Sequence, residues 1–149
     1  MSDKYRKCVG IVVYNNDKKV LLCERSDMRG QWQFPQGGIE KGESIIDAAY
    51  RELWEETSIV SVEKPKIFEK TFRYDFPFEV AKKFVYVGQE ICWVFLEFVG
   101  KEDEINLVTD GQEFVAWKWA DVNEALEKIV AFKHGVYEQA VEYFKRMVK

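Results

Sequence analysis

Hydrophobic positions along the chain form short runs that predict β-strands. Residues 5–14 and 18–25 are rich in Val, Ile, Leu and Tyr, and the polar stretch 15–17 separates them. Two such runs around a short turn predict a β-hairpin. Residues 75–83 predict a loop. Further strands are predicted at residues 59–62, 67–74, 84–88, 91–99 and 113–119.

Two segments have the pattern of helices. Ser44 is a typical N-cap residue, and about thirteen residues without Gly or Pro follow it, which predicts a helix that ends near Ser58. From Asp121 onward, apolar residues recur at helical spacing, and Gly135 is expected to bend or split this terminal helix. Strands, a helix, more strands and a terminal helix predict an α+β fold, an α/β/α sandwich with a mixed β-sheet between helices.

The composition favours one globular unit. The chain has 149 residues, of which 47% are hydrophobic, and it contains no repeat or linker, so we expect a single domain over residues 1–149. No stretch approaches the roughly 20 apolar residues of a membrane span. The charged N-terminus lacks the apolar core of a secretion signal. These features predict a cytoplasmic protein without a membrane partner.

Charge and metal-ligating residues exclude several functional classes. The net charge of −4 argues against a protein that coats nucleic acid or binds a DNA duplex, which needs a basic surface. A nucleic-acid substrate would be held only at its end. Cys8, Cys23 and Cys92 form no close pair and are interpreted as buried, reduced thiols. His134 is the only histidine, which excludes a His-rich zinc site.

The predicted helix at 44–57 carries an acidic face. Glu52, Glu55 and Glu56 are spaced i, i+3 and i+4, which places them on one side of a helix. Clustered carboxylates repel one another unless a cation lies between them, and hard oxygen ligands suit Mg²⁺ or Mn²⁺. A solvated acidic face is the common alternative, and the spacing alone leaves both readings open.

The residues around this face add to the metal hypothesis. Gly37 and Gly38 precede the helix and allow a tight loop whose backbone N–H groups could approach an anionic substrate. Arg51 is the cation within the acidic patch, and we expect it to pair with a loop carboxylate such as Glu43.

Taken together, these positions resemble the signature of the Nudix hydrolase superfamily. The match comprises Gly37, Gly38, Glu43, Arg51, Glu52, Leu53, Glu55, Glu56 and Ile59. Ser58 departs from it, since the family has a glycine there that ends the helix in a left-handed turn. A serine in that conformation costs on the order of 1 kcal/mol. The departure concerns the helix end and leaves the carboxylates in place.

Within the superfamily, nearly the whole chain resembles the bacterial RNA pyrophosphohydrolase branch, also described as (di)nucleoside polyphosphate hydrolases. This resemblance implies removal of pyrophosphate from the 5′-triphosphate end of RNA, or cleavage of dinucleoside polyphosphates. Free nucleotides such as oxidised dGTP are a related alternative. The matching segments are residues 5–11, 32–38, 88–89, 93, 104–107, 113–114, 117–119, 132–133 and 136–137.

The resemblance also implies roles for individual residues. Divalent cations would be held at Glu52, Glu55, Glu56 and Glu113, with Gly37 in the same site. Glu52, Glu56 and Glu113 would be catalytic, and the general base is either Glu56 or Glu52. Glu113 would complete the acidic cluster from a distant strand, and Glu104 is the alternative residue for this position. The substrate would contact Arg6, Arg25, Tyr74, Gln89, Phe132 and Lys133.

Two other classes of function remain open on the sequence. The chain could be a catalytically silent module that binds nucleotides, although the complete glutamate set favours an enzyme. It could also be a scaffold in which Trp117 and Trp119 serve a partner interface, although alternating tryptophans in a strand are ordinary packing. Phe132 likewise has the spacing of a core residue. We expect a monomer or a small homo-oligomer.

Overall fold

The computed structural model describes residues 4–149, so the first three residues of the charged N-terminus lie outside it. Within that range, one mixed sheet of seven strands has the order β3-β2-β1-β6-β5, with β4 paired to β1 and β7 paired to β2. The strands are β1 (Tyr5–Tyr14), β2 (Val20–Arg25), β3 (Trp32–Gln33), β4 (Gln36–Gly38), β5 (Val62–Asp75), β6 (Gly88–Phe98) and β7 (Phe114–Ala120).

The helices are α1 (Ile45–Thr57), α2 (Phe78–Ala81), α3 (Glu124–Lys128) and α4 (His134–Met147). Short 3₁₀ turns occur at Glu102–Glu104 and Ala131–Lys133. Among residues 4–149, none of the helices is long and apolar enough to cross a membrane.

Strand β1 lies at the centre of the sheet and buries both of its faces. It runs parallel to β6 from Tyr5↔Gly88 to Tyr14↔Glu97. Val9, Ile11 and Val13 pack in the core that α1 covers, whereas Val12 and Tyr14 pack in the core that α4 covers. Alternate residues of a strand point to opposite faces, so one strand supplies both cores. The predicted α+β fold with a sheet between helices is confirmed.

The ends of α1 explain why this segment is helical. The Oγ atom of Ser44 accepts a hydrogen bond from the backbone N–H of Asp47 at 3.0 Å. At the other end, Ser58 adopts the left-handed conformation with a φ of 66°, and its N–H donates to the Trp54 carbonyl at 2.9 Å. Its Oγ atom also donates to the Asn106 carbonyl at 2.9 Å. Serine therefore retains the left-handed helix end of the Nudix signature.

Several predicted boundaries were wrong. The hairpin at residues 15–17 exists, but β1 and β2 are paired only beside the turn, at Tyr14↔Val20. Residues 84–87 are bends before β6 rather than a strand, and the predicted loop 75–83 contains α2. The strand predicted at 59–62 begins only at Val62, as the start of β5.

The terminal helical segment is split before Gly135, not at it. Ile129 has an extended ψ of 148°, and α4 begins at His134. The three cysteines are free and buried, as predicted.

Candidate active site

A cavity of about 630 Å³ opens at one edge of the sheet. Strands β1, β6 and β7 begin at this edge and β2 and β5 end there, because β1 and β6 are parallel while their other partners are antiparallel. Residues distant in sequence therefore meet in one place. The predicted site residues that line the cavity are Arg6, Arg25, Gly37, Gly38, Glu52, Glu55, Tyr74, Gln89, Glu113, Phe132 and Lys133.

The two glycines of β4 allow site side chains to pack directly on the backbone. Gly37 and Gly38 pair with Val9 and Cys8 of β1. A Cβ atom at Gly37 would overlap the carboxylate of Glu52, and one at Gly38 would overlap the guanidinium of Arg6. Glycine therefore leaves room for these two side-chain ends, which a Cβ atom would force to shift, and neither glycine has a left-handed φ.

Arg51 connects the glycine-rich loop to the acidic face of α1. Its Nε and Nη2 atoms donate to the two carboxylate oxygens of Glu43 at 2.7 and 2.9 Å, and Nη2 also donates to the Gly38 carbonyl at 2.9 Å. Its Nη1 atom donates to Glu52 at 2.9 Å and to Glu55 at 3.2 Å. All five N–H donors of the guanidinium therefore have an acceptor. The hydrogen bonds from Arg51 lower the pKa of Glu43 to about 2.

Glu56 is the buried member of the acidic face, with 7% of its surface exposed. Its Oε2 atom has no hydrogen-bond partner among the described residues. Burial, followed by the charge of the adjacent Glu113, holds the pKa of Glu56 well above its usual value, while a backbone hydrogen bond from Gln36 opposes the shift. A buried carboxylate oxygen without a partner is costly and calls for a cation or a proton.

Glu52 and Glu113 extend the same cluster. Burial raises the pKa of Glu52, and the charges of Glu55 and Glu113 add to this, while Arg51 opposes it. Glu104, the rival of Glu113, does not line the cavity. It accepts hydrogen bonds from the backbone N–H groups of Val60 and Ser61 at 2.6 and 2.8 Å. Partial burial raises its pKa, but hydrogen bonding to the Ser61 side chain, together with these backbone hydrogen bonds, outweighs that effect and lowers it. Glu104 therefore anchors the loop after α1.

The acidic cluster fits a hard divalent cation, although the carboxylates do not already enclose one. Within residues 4–149, no three acidic, His or Cys side chains converge closely enough to surround a metal ion. Glu52 and Glu55 both accept hydrogen bonds from the same Nη1 atom of Arg51. The unpartnered Oε2 of Glu56 and the raised pKa values of Glu52 and Glu56 indicate missing positive charge. Carboxylate oxygens are the ligands that Mg²⁺ and Mn²⁺ prefer.

The same cavity also carries cationic side chains. Lys133 is 8% exposed, and burial together with the charge of Arg25 lowers its pKa to about 8. Its Nζ atom lies 5.9 Å from the centre of the Tyr74 ring. Arg25 is held by Asp27 through hydrogen bonds of 2.9 and 2.7 Å. A buried ammonium beside a cavity is a strong donor for an anion such as phosphate.

Three polar side chains are joined at the floor of the cavity. The Nε2 atom of Gln36 donates to Tyr74 Oη at 3.0 Å and to Gln89 Oε1 at 2.5 Å, and Tyr74 Oη donates to the same Gln89 oxygen. Burial raises the pKa of Tyr74, which keeps its hydroxyl protonated. Gln36 was not predicted as a site residue, although its position directly before Gly37 was a signal.

Other residues of the cavity were also missed. Phe76, Val80, Phe84 and Tyr86 form one of its walls. They belong to the segment that the sequence divided between a loop and a strand. Trp117 and Trp119, the predicted scaffold residues, instead pack against the core beneath α1, and Trp119 Nε1 donates to Glu102 at 2.9 Å.

The chain is similar to known proteins in sequence and in fold. The profile of the NUDIX domain matches residues 4–140. An RNA pyrophosphohydrolase of Pelagibacter ubique is 42% identical over 147 residues, covering 96% of this chain and 93% of that protein. One of Bartonella clarridgeiae is 44% identical, covering 97% and 92%. The Escherichia coli dihydroneopterin triphosphate pyrophosphohydrolase has a similar fold, with a TM-score of 0.73 at 22% identity, covering 95% of this chain and 99% of that one.

Proposed function

The chain belongs to the NUDIX domain family of hydrolases that act on phosphoanhydride bonds, and we propose that it removes pyrophosphate from the 5′-triphosphate end of RNA. The observation that carries this proposal is one cavity lined by both acidic and cationic side chains. Glu52, Glu55 and Glu113 line it, and so do Arg6 and Lys133. A polyphosphate needs both, because its charge must be neutralised while water is activated.

The acidic residues supply the metal site and the base. Glu52, Glu55, Glu56 and Glu113 would hold Mg²⁺ or Mn²⁺, with Gly37 against them, and the bound cations supply charge that neutralises phosphate oxygens and acidifies water. Glu56 or Glu52 accepts the proton of the attacking water.

The cationic and aromatic residues of the cavity hold the substrate. Arg6 and Lys133 donate charge-assisted hydrogen bonds to phosphate oxygens, and Arg25 supports the positive field. Gln89 and Tyr74, joined through Gln36, bind the phosphates or the sugar. Phe132, whose ring centre lies 5.9 Å from that of Tyr74, offers an apolar surface to a base. Water attacks phosphorus, the anhydride P–O bond breaks, and pyrophosphate leaves while the 5′-monophosphate stays on the RNA.

A substrate comparison tests the proposal. The purified protein is incubated with Mg²⁺ and either 5′-triphosphorylated RNA or diadenosine tetraphosphate, and kcat/KM is measured for each. We expect the RNA to be the better substrate. Efficient cleavage of the dinucleotide with untouched RNA would instead assign the alternative activity, a dinucleoside polyphosphate hydrolase.

Replacement of Glu56 tests the enzyme class. Glu56→Gln removes the buried charge without changing the side-chain volume, so we expect turnover to fall by about a thousandfold or more while the fold is retained. Without metal, the melting temperature of the variant should equal or exceed that of the wild type. Unchanged turnover in the variant would refute the role of Glu56, whereas a wild type without any turnover would favour the non-catalytic nucleotide-binding module. We further propose a cytoplasmic protein that acts as a monomer or small homo-oligomer.

A further inference from the structure

The connection between β5 and β6 is a short surface segment, residues 76–87, which we call the aromatic flap. A backbone hydrogen bond of 2.8 Å from Phe76 N to the Val87 carbonyl closes its base, and α2 forms its first turn. The flap is unusually apolar for a surface loop. Its exposed large hydrophobic residues are Phe78, Phe84, Val85, Tyr86 and Val87.

The inner side of the aromatic flap continues the wall of the cavity outward. The ring centre of Phe76 lies 6.4 Å from that of Phe132 and 5.5 Å from that of Phe84. These distances are those of interacting aromatic pairs. Phe132 is half-buried against the core, whereas Phe84 is 59% exposed and still lines the cavity. A row of rings thus leads from the phosphate site to the protein surface.

Exposed aromatic rings beside a phosphate-binding cavity suit nucleobases. Bases stack on aromatic side chains by about 1–3 kcal/mol each, and this stacking tolerates any base. Lys82 and Lys83 are exposed on the same segment, and Lys82 pairs with Glu79 at 2.6 Å. The flap therefore combines stacking surface with local positive charge, although the whole chain carries a net charge of −4.

We propose that the aromatic flap binds the RNA downstream of its triphosphorylated end, with Phe84 as the stacking platform for a base and Tyr86 beside it. This inference rests on the proposed function, because it assumes that the cavity holds the 5′ end of RNA. The continuity of the ring row with the cavity favours the substrate over a protein partner as the occupant. Phe84 then makes the enzyme prefer RNA over free nucleoside triphosphates as a substrate.

Substitution of Phe84 tests the platform. Phe84→Ala should lower kcat/KM for a short 5′-triphosphorylated RNA about tenfold. Hydrolysis of ATP, which has no downstream base, should change less than about twofold. Phe78→Ala is the matched control, since Phe78 is exposed on the same segment but does not line the cavity, and it should leave both substrates unaffected.

A binding measurement separates this inference from the proposed function. Each flap variant is combined with Glu56→Gln, and the affinity for a fluorescently labelled 5′-triphosphorylated RNA is measured by anisotropy. We expect Phe84→Ala to weaken this binding about tenfold, whether or not the wild-type protein cleaves RNA. If the wild type does not cleave RNA but Phe84→Ala still weakens RNA binding, the proposed function is refuted and the role of the flap in binding is retained.

Three outcomes would refute the role of Phe84 as a stacking platform for RNA. Equal losses with RNA and ATP would make Phe84 a structural part of the wall. Unchanged RNA binding in Phe84→Ala would show that no base rests on the ring. A loss confined to diadenosine tetraphosphate would assign the flap to a distal nucleoside instead of RNA. The melting temperatures of Phe84→Ala and Phe78→Ala should match the wild type, because the substituted rings are exposed.

Discussion

Ser58, at the end of α1, makes two opposing contributions to the free energy of unfolding. Its left-handed φ of 66° costs on the order of 1 kcal/mol for a residue with a side chain. The hydrogen bond from its Oγ atom to Asn106 contributes about 1 kcal/mol in the other direction. We therefore expect Ser58→Gly to leave the free energy of unfolding nearly unchanged, and Ser58→Ala to lower it by about 1 kcal/mol. Urea denaturation measures both, and equal stabilities for the two variants would contradict this balance.

Lys133 should impose an upper pH limit on substrate capture. Its pKa in the folded protein is about 8, so the amine is charged below that pH and loses its attraction for phosphate above it. We expect kcat/KM, which reports the free enzyme, to fall as the pH rises through about 8. Lys133→Arg should keep its activity to higher pH, because a guanidinium stays charged. A wild-type profile that is flat from pH 7 to 9 would be evidence against this role.

The spacing of the glutamates in the sequence could not predict how deeply each carboxylate is buried. Glu52, Glu55 and Glu56 share one helical face, as the periodicity indicates, yet Glu55 is exposed and Glu56 is buried. The difference arises because β4 and Glu113 lie over one edge of that face, and such contacts are set by the sheet. For the same reason, the family resemblance was needed to connect Glu113 and Lys133 with the helix.

Arg51 is the link between two elements, the β4 loop and α1. Arg51→Lys keeps the charge but loses the paired hydrogen bonds to Glu43, so we expect a loss of about 2 kcal/mol in the free energy of unfolding. Because the Nη1 contacts to Glu52 and Glu55 are lost as well, divalent cations should restore more stability to the variant than to the wild type. Thermal melting with and without Mg²⁺ measures both effects. If Mg²⁺ raised the melting temperatures of the wild type and of Arg51→Lys equally, the expected greater effect of divalent cations on the variant would be refuted.

Helix α1 was predictable at both ends, because an N-cap, an uninterrupted run of helix formers and a left-handed end all act locally. The aromatic flap was not. Phe84 to Val87 form an apolar run that composition assigns to a strand, but the structure leaves it exposed beside the cavity. An apolar run has the same appearance whether it packs against protein or borders a ligand site. The break at Ile129 was likewise missed, since it depends on the packing that brings Lys133 to the cavity.

The charge of the whole molecule limits how much RNA it can hold. Because the net charge is −4, contacts beyond the cavity and the aromatic flap should add little affinity. We expect short and long 5′-triphosphorylated RNAs to have kcat/KM values within about threefold of each other, with a weak dependence on salt. Kinetics on RNAs of graded length test this, and a steady rise with length would reveal a further binding surface.

The parallel pairing of β1 with β6 has a consequence for how the protein is made. Tyr5 is paired with Gly88 and Tyr14 with Glu97, so the central strand is synthesised well before β6 and finds this partner only when β6 follows. Pairings so distant in sequence form slowly, and unpaired apolar strands invite aggregation. The β1–β6 pairing can therefore form only after residues up to Phe98 have left the ribosome, and until then the apolar residues of β1 lack this partner.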